Sequence, residues 1–376
     1  MGKTKKKEVI ESPLDVGLLM ITLCLIAFGL LMIYSTSSYT SQVRYGDSMY
    51  FLKKQIFGVA VGLAAMFVVM KIHYKLYLNR LPLIRIRFVT FIYWIAVTLQ
   101  IMVLIVGEEF NGAKRWLRIG GLSLQPSEIT KIAVILIAAY YIQKNPTVLS
   151  KFRGLVRVII PIGFLLALVI VENLSTAIVI GMIAIGMCFI AAKNKKLYIV
   201  LILAAIGGAA LFIVLGDGFR MTRIRVWMDI ENEPLGYQIL QGLYAIASGG
   251  VFGTGLGESM QKLGFIPESH NDMIFSIVCE ELGIVGAGIV LLMFGIMIWR
   301  IFKIAVSAPD LFSGMICAGV MIHIAAQVII NVAVVTNSIP STGIPLPFIS
   351  YGGTSIAILM AEMGLVLGIS AKRKSG

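Results

Sequence analysis

The sequence predicts an all-α integral membrane protein of about ten transmembrane helices, with a long external loop between spans 7 and 8. Three observations carry that expectation. Of 376 residues, 58% are hydrophobic and only 14% are charged, whereas soluble domains carry roughly a quarter charged residues. The mean hydropathy is +0.92. Apolar stretches of about 18 or more residues recur along the chain, each long enough for a hydrocarbon layer about 30 Å thick. Such a composition leaves almost no room for a soluble globular protein. A net charge of +13 and a pI near 9.6 would suit nucleic-acid binding, but a basic excess also sets orientation in a membrane.

The spans fall near 14–35, 55–71, 88–106, 126–143, 156–172, 174–192, 197–216, 274–298, 311–334 and 346–370. The first follows a solvated basic tail, residues 1–13, carrying Lys3, Lys5, Lys6 and Lys7. It is too long for a secretory signal core and no small-residue cleavage site stands out, so no signal peptide is expected. Pro126 after Gln125 is an ordinary helix start for the fourth span. Only Glu172 and Asn173 separate the fifth span from the sixth. The split is supported by charge: with it, alternate connections on the N-terminal side hold 21 of the 32 Lys and Arg residues, against ten on the other. Basic residues are retained in the cytoplasm, so both termini are expected there, with a membrane domain over 14–370 and a short tail over 371–376. Cys24, Cys188, Cys279 and Cys317 show no CxxC spacing and read as small apolar packing residues.

Function in such a chain concentrates in polar groups facing a cavity and in irregular external segments. Two segments qualify. One is 107–125, with Asn111, Gly112, Ala113, Lys114, Arg115 and Trp116; the other is 217–273, which holds seven of the 19 acidic residues beside Arg220, Arg223 and Arg225. Glu128 and Lys131 lie three apart on one helical face, either as a structural ion pair or as a site where Lys131 meets an anionic head group. Trp116 is either an interfacial belt residue or a platform for a sugar or lipid. Gly249, Gly250, Gly253, Gly255 and Gly257 lack the GK[ST] ending of a phosphate loop and favour a tight re-entrant turn.

Asp272 opens the eighth span beside His270. It is an N-cap candidate, yet a carboxylate in a half-dry site among arginines is also suited to general-base work. Thr336 to Ser341 and Gly343 to Ser355 bring polar and helix-breaking residues to the start of the last span. They either line an enclosed cavity or allow close helix packing. No HExxH or clustered Cys/His spacing specifies a metal.

Together these segments resemble the SEDS family (shape, elongation, division and sporulation), the peptidoglycan polymerases represented by FtsW, RodA and SpoVE. Four blocks carry the resemblance in order: Asn111 to Trp116 with Gln125 to Glu128 and Lys131; Gly236-Tyr237-Gln238 with Ser248 to Gly257; Pro267-Glu268, His270 and Asp272 with Glu280 to Gly283; and Pro345-Leu346-Pro347 with Ser350 to Gly353. Asn331 to Val335 looks like the FtsW and SpoVE branch, Gly343 to Pro347 would suit RodA, and the balance favours the former. Asn173 stands where the family often has aspartate, so no role is carried to it.

The resemblance implies an inverting glycosyltransferase that polymerises lipid II at the outer face of the cytoplasmic membrane, for division or cell shape. It implies Asp272 as the base, and Arg115 and Lys131 as cations for the departing pyrophosphate, with Trp116, Glu128 and His270 at the substrate. A divalent cation is compatible but nothing specifies one. A class B penicillin-binding protein, a transpeptidase, is the implied partner. Two rivals stand beside this reading: a precursor flippase or transporter using Glu128, Lys131, Glu280, Glu281 and Glu362, and a scaffold that only recruits a transpeptidase.

Overall fold

The computed structural model describes residues 9–11, 13–82, 85–110, 113–119, 122–146, 149, 152–193, 195–200, 202–203, 207–208, 218–233 and 236–374. Its long helices are α1 (Val16–Tyr45), α2 (Tyr50–Lys71), α3 (Phe88–Val106), α4 (Pro126–Lys144), α5 (Phe152–Glu172) and α6 (Leu174–Ala191). After two short helices, α7 (Gly218–Met228) and α8 (Tyr237–Ser248), come α9 (Ile274–Ser307), α10 (Leu311–Val335) and α11 (Gly353–Ser370). Eight of these are long and apolar enough to cross a membrane. The fourth expected span, α4, falls outside those eight because Glu128 and Lys131 near its start lower its hydropathy. It is nevertheless buried along most of its length, against α3, α6 and α10. Most of the seventh expected span lies outside the described residues.

Several boundaries differ from expectation; α1 runs on to Tyr45 rather than 35 and α9 to Ser307 rather than 298. The tenth span does not begin at 346: helix starts at Gly353, and 336–352 run as turns and extended chain. Pro340, Pro345 and Pro347 account for this, since each removes an amide donor and biases the preceding residue away from helix. The segment 107–125 is not a plain loop but an antiparallel meander of β2 (Glu108–Phe110), β3 (Ala113–Ile119) and β4 (Leu122–Leu124). Part of the N-terminal tail is also ordered, for β1 (Val9–Glu11) pairs antiparallel with β5 (Lys372–Lys374). Since Asp15 N also donates to Ser370 Oγ at 3.2 Å, the two ends of the chain meet on one side.

Close helix packing rests on small residues. A Cβ on Gly58 of α2 would stand 2.8 Å from Gly353 Cα, and one on Gly364 of α11 would stand 2.5 Å from Met66 O. One turn further on, a Cβ on Gly368 would stand 2.7 Å from Met70 O and one on Gly62 3.1 Å from Ala357 Cα. With no water to expel from lipid-immersed surfaces, such backbone-to-backbone approach supplies the attraction through dispersion.

Helix α9 is broken at Gly283, whose φ of 66° and ψ of −171° lie outside the helical region. A break inside a membrane protein frees backbone groups that must be paired internally. The glycine-rich loop does this. Thr254 N and Gly255 N donate to the carbonyls of Glu280 (2.9 Å) and Glu281 (3.0 Å), while Ile284 N and Val285 N donate to Gly250 O (3.0 Å) and Val251 O (3.1 Å). A Cβ at Gly283 would fall 2.4 Å from both Gly253 N and Val251 O, so a side chain would break this exchange as well as strain the backbone.

Gly58→Val and Gly364→Val are each expected to destabilise the fold by about 1–3 kcal/mol through overpacking. Gly181→Val, at a position with no neighbour within 4 Å, is the control. Melting temperatures of the detergent-solubilised proteins measure the difference.

Candidate active site

Three segments meet at the end of the bundle opposite the termini: the meander, the α7-to-α9 connection, and residues 336–352. The meander is tied down by Glu172 at the end of α5, whose Oε2 accepts from Lys114 N at 2.6 Å and whose carbonyl accepts from Arg115 Nε at 3.1 Å. Its far edge is tied to α11, with Thr354 Oγ1 donating to Ser123 O. Asn173, read from sequence only as a break, caps α6 by accepting from Thr176 N at 3.0 Å.

Asp272 is held by its backbone. Three consecutive carbonyls accept from three different donors: His270 O from Tyr351 N (2.9 Å), Asn271 O from Ser350 Oγ (2.8 Å) and Asp272 O from Asn331 Nδ2 (2.8 Å). The part-buried Asp272 carboxylate lies alongside Gly343, where a Cβ would stand 3.7 Å from Oδ2. Gly343 has a φ of 68°, which a side chain would resist. Burial raises the Asp272 carboxyl above its ordinary value; its own amide opposes this, Glu268 adds to it and Arg223 opposes it.

Arg223 on α7 donates to Ser341 O at 3.0 Å, and Trp227, one turn on, donates to Asn337 O at 3.0 Å. Burial lowers the Arg223 guanidinium; Arg115 acts in the same direction and Asp272 against it. Arg115 is likewise lowered by burial and raised by Glu172. Both stay charged at any physiological pH, so two guanidinium groups and one carboxylate share the end of the bundle opposite the termini. Arg223 stood in the sequence as one of several loop arginines; only the fold sets it beside Asp272. Trp116 is half-buried on β3, paired in register with Glu108. Asn111 and Gly112 lie outside the described residues.

His270 is packed rather than solvated. It is 4% exposed, its ring centroid lies 4.2 Å from that of Phe51 and 5.5 Å from that of Tyr351, and burial, with Arg44, lowers it to about 4.

Most interior charges among the described residues are closed into pairs. Lys131 Nζ lies 2.8 Å from Glu128 Oε1, with both side chains almost fully buried, and Ser355 Oγ donates to the other Glu128 oxygen at 3.0 Å. Lys262 Nζ meets Glu281 Oε1 at 2.7 Å, where Ser35 Oγ also donates at 2.6 Å. Glu280 accepts from Ser259 Oγ and Met260 N, and His323 Nδ1 meets Glu362 Oε2 at 2.8 Å. These contacts fasten helices and loops to one another. Among the described residues no three His, Cys, Asp or Glu side chains gather at metal-binding distance.

A family model described as cell cycle protein, FtsW/RodA/SpoVE, matches residues 16–375. Stage V sporulation protein E of Bacillus subtilis is 37% identical over 362 residues, covering 95% of this chain and 96% of that protein. A probable peptidoglycan glycosyltransferase FtsW of Trichlorobacter lovleyi is 35% identical over 367 residues, covering 96% and 94%. Among solved structures, a chain from a study of the structural coordination of polymerization and crosslinking by a peptidoglycan synthase complex superposes with a TM-score of 0.76 at 24% identity, covering 95% of this chain and 97% of that one. The rod shape determining protein RodA of Thermus thermophilus does so with a TM-score of 0.69 at 23% identity, covering 95% and 96%. At those identities the structures show a shared fold.

Because His270 is neutral in the folded state and takes up a proton on unfolding, stability should fall as the pH drops from 6.5 toward about 4. The loss is about 2 kcal/mol at about pH 5. His270→Phe, which keeps a ring against Phe51 and Tyr351, should flatten this acid limb when melting temperature is followed against pH.

Proposed function

This chain belongs to the FtsW/RodA/SpoVE family of cell cycle proteins, and from that premise we infer that it is a peptidoglycan glycosyltransferase polymerising lipid II. It is a multi-pass membrane protein, and its relatives put it on the FtsW/SpoVE branch. The observation that carries the reaction is the part-buried Asp272 carboxylate, raised by burial and balanced against Arg223, with Arg115 close by.

In this reading the Asp272 carboxylate takes the proton of the acceptor sugar hydroxyl as that oxygen attacks the anomeric carbon of the lipid-linked donor. The bond from that carbon to the pyrophosphate oxygen breaks from the opposite face, so configuration inverts. Pyrophosphate leaves as an anion and needs no second carboxylic acid to protonate it, unlike the sugar oxygen in a glycosidase. It needs cations, and Arg115 and Arg223 are positioned to neutralise the developing charge. Trp116, on the same strand as Arg115, offers an apolar face for a sugar or prenyl group. His270 supports the Asp272 segment through its packing. The Glu128–Lys131 pair lies beneath Ser355 as a buried cation source, which reaches an anionic head group once its partner bond to Glu128 is exchanged.

The charge asymmetry sets the paired termini in the cytoplasm and the Asp272 end outside, where lipid II is presented. The synthase-complex neighbour supports a transpeptidase partner of the class B penicillin-binding type. The groups a transporter would use, Glu128, Lys131, Glu280, Glu281 and Glu362, are spread over separate contacts and do not line one path in this arrangement of bonds, which favours the polymerase reading.

Asp272→Asn should abolish glycan synthesis from labelled lipid II by protein that is purified and folded. Retained polymerisation removes Asp272 as the base, and lipid II transport into liposomes without polymer favours the rival. Because Arg223 favours the ionised carboxylate, Arg223→Gln should shift the acid limb of the pH–rate profile upward as well as slow the reaction.

A further inference from the structure

Asn331 lies in the last third of α10, fully buried, and its amide group donates to two carbonyls that belong to separate parts of the chain. One bond runs to Asp272 O at 2.8 Å and the other to Ile344 O at 2.9 Å. The orientation of the amide is dictated by its surroundings, since the flipped form would point a carbonyl oxygen at two carbonyl oxygens. The two N–H groups of one planar amide have a fixed angle between them. Asp272 and the loop at Ile344 are therefore held at one separation from a rigid helix.

The helix itself is anchored far from this point. Asp310 caps its N-terminus, accepting from Ser313 N at 2.9 Å and from Tyr74 Oη at 2.9 Å. The loop that Asn331 grips is the one whose Ser341 carbonyl receives Arg223. Ser350 completes the arrangement, accepting from Leu346 N and donating to Asn271 O, each at 2.8 Å.

We propose that Asn331 is a positioning residue for the glycosyl transfer: by bridging the Asp272 and Ile344 carbonyls it sets the distance between the Asp272 carboxylate and the loop whose Ser341 carbonyl holds Arg223 of α7. The proposal rests on Asp272 being the base. Asn331 touches no reacting atom, so its loss misplaces the base without removing a group that binds lipid II. A misplacement of about 1 Å at a reacting centre lowers turnover by roughly 100-fold.

The test uses full-length protein in detergent micelles or liposomes, with labelled lipid II, and compares wild type, Asn331→Ala, Ser350→Ala and Asp272→Asn. The expected result for Asn331→Ala is a fall in kcat of roughly 10- to 100-fold, with KM for lipid II within about threefold. Its acid limb should move in the same direction as that of Arg223→Gln. Ser350→Ala, which loses one neighbouring bond and keeps Asn331, should show a smaller fall of the same kind and keeps the proposal testable should Asn331→Ala fail to fold. A purely structural role would reduce the amount of folded protein while leaving kcat per folded molecule and the acid limb unmoved, and that result overturns the proposal. So does wild-type kcat in both Asn331→Ala and Ser350→Ala when Asp272→Asn is inactive. Activity in Asp272→Asn refutes the base reading by a separate measurement, and this proposal with it.

Discussion

A backbone amide or carbonyl inside a membrane protein has no water to fall back on, and that constraint organises this structure. Wherever the chain leaves helical geometry at depth, another segment supplies the missing partner. The break at Gly283 is answered by the loop at Gly250 to Gly255, group for group. The non-helical run before α11 is answered by the carbonyls of His270 and Asn271, which accept from Tyr351 N and Ser350 Oγ, and by Asn331 of α10, which donates to Ile344 O. The two irregular stretches flank the same short segment, so satisfying the backbone also fixes the presentation of Asp272.

Charge follows a similar rule. Among the described residues three buried carboxylates have an ionic partner close enough to offset part of their desolvation, Glu128 with Lys131, Glu281 with Lys262 and Glu362 with His323, while Glu280 relies on Ser259 and Met260 N. Such pairs are weak evidence for added stability, since replacing both members by apolar groups is often neutral. Breaking one by removing a single partner is costly, so Lys262–Glu281 ties the glycine-rich connection to α9 and His323–Glu362 ties α10 to α11, while Glu128–Lys131 lies within α4 and reaches α11 through Ser355. Asp272 departs from this pattern. Its carboxylate is part-buried, raised by burial, and set against Arg223 through space. A carboxylate left poised in this way is available to accept a proton.

The two kinds of constraint meet in α10. Its inner face carries His323, Gln327 and Asn331, one turn apart and all buried. His323 pairs with Glu362 on α11, and Asn331 reaches the Asp272 segment. Three polar residues at four-residue spacing within an apolar span form a periodic signal visible in the sequence. It is ambiguous there, because the same spacing serves close packing, a cavity lining or a support for a distant loop.

Hydropathy alone was enough to define a multi-span membrane protein, because burial in lipid acts on each segment independently. The glycine-rich loop, the proline-interrupted start of the last span and the exposed order of motifs were legible for the same reason: each is a local property of the chain. The pairing of the two tails, the meander at 107–125 and the true start of α11 at Gly353 were not. Nor were the approach of Arg223 to Asp272 and the reach of Asn331 across 59 residues to the Asp272 carbonyl. These depend on which segments pack together, a choice made by the sum of many close contacts across the bundle. A residue's type and its neighbours in sequence do not encode that sum.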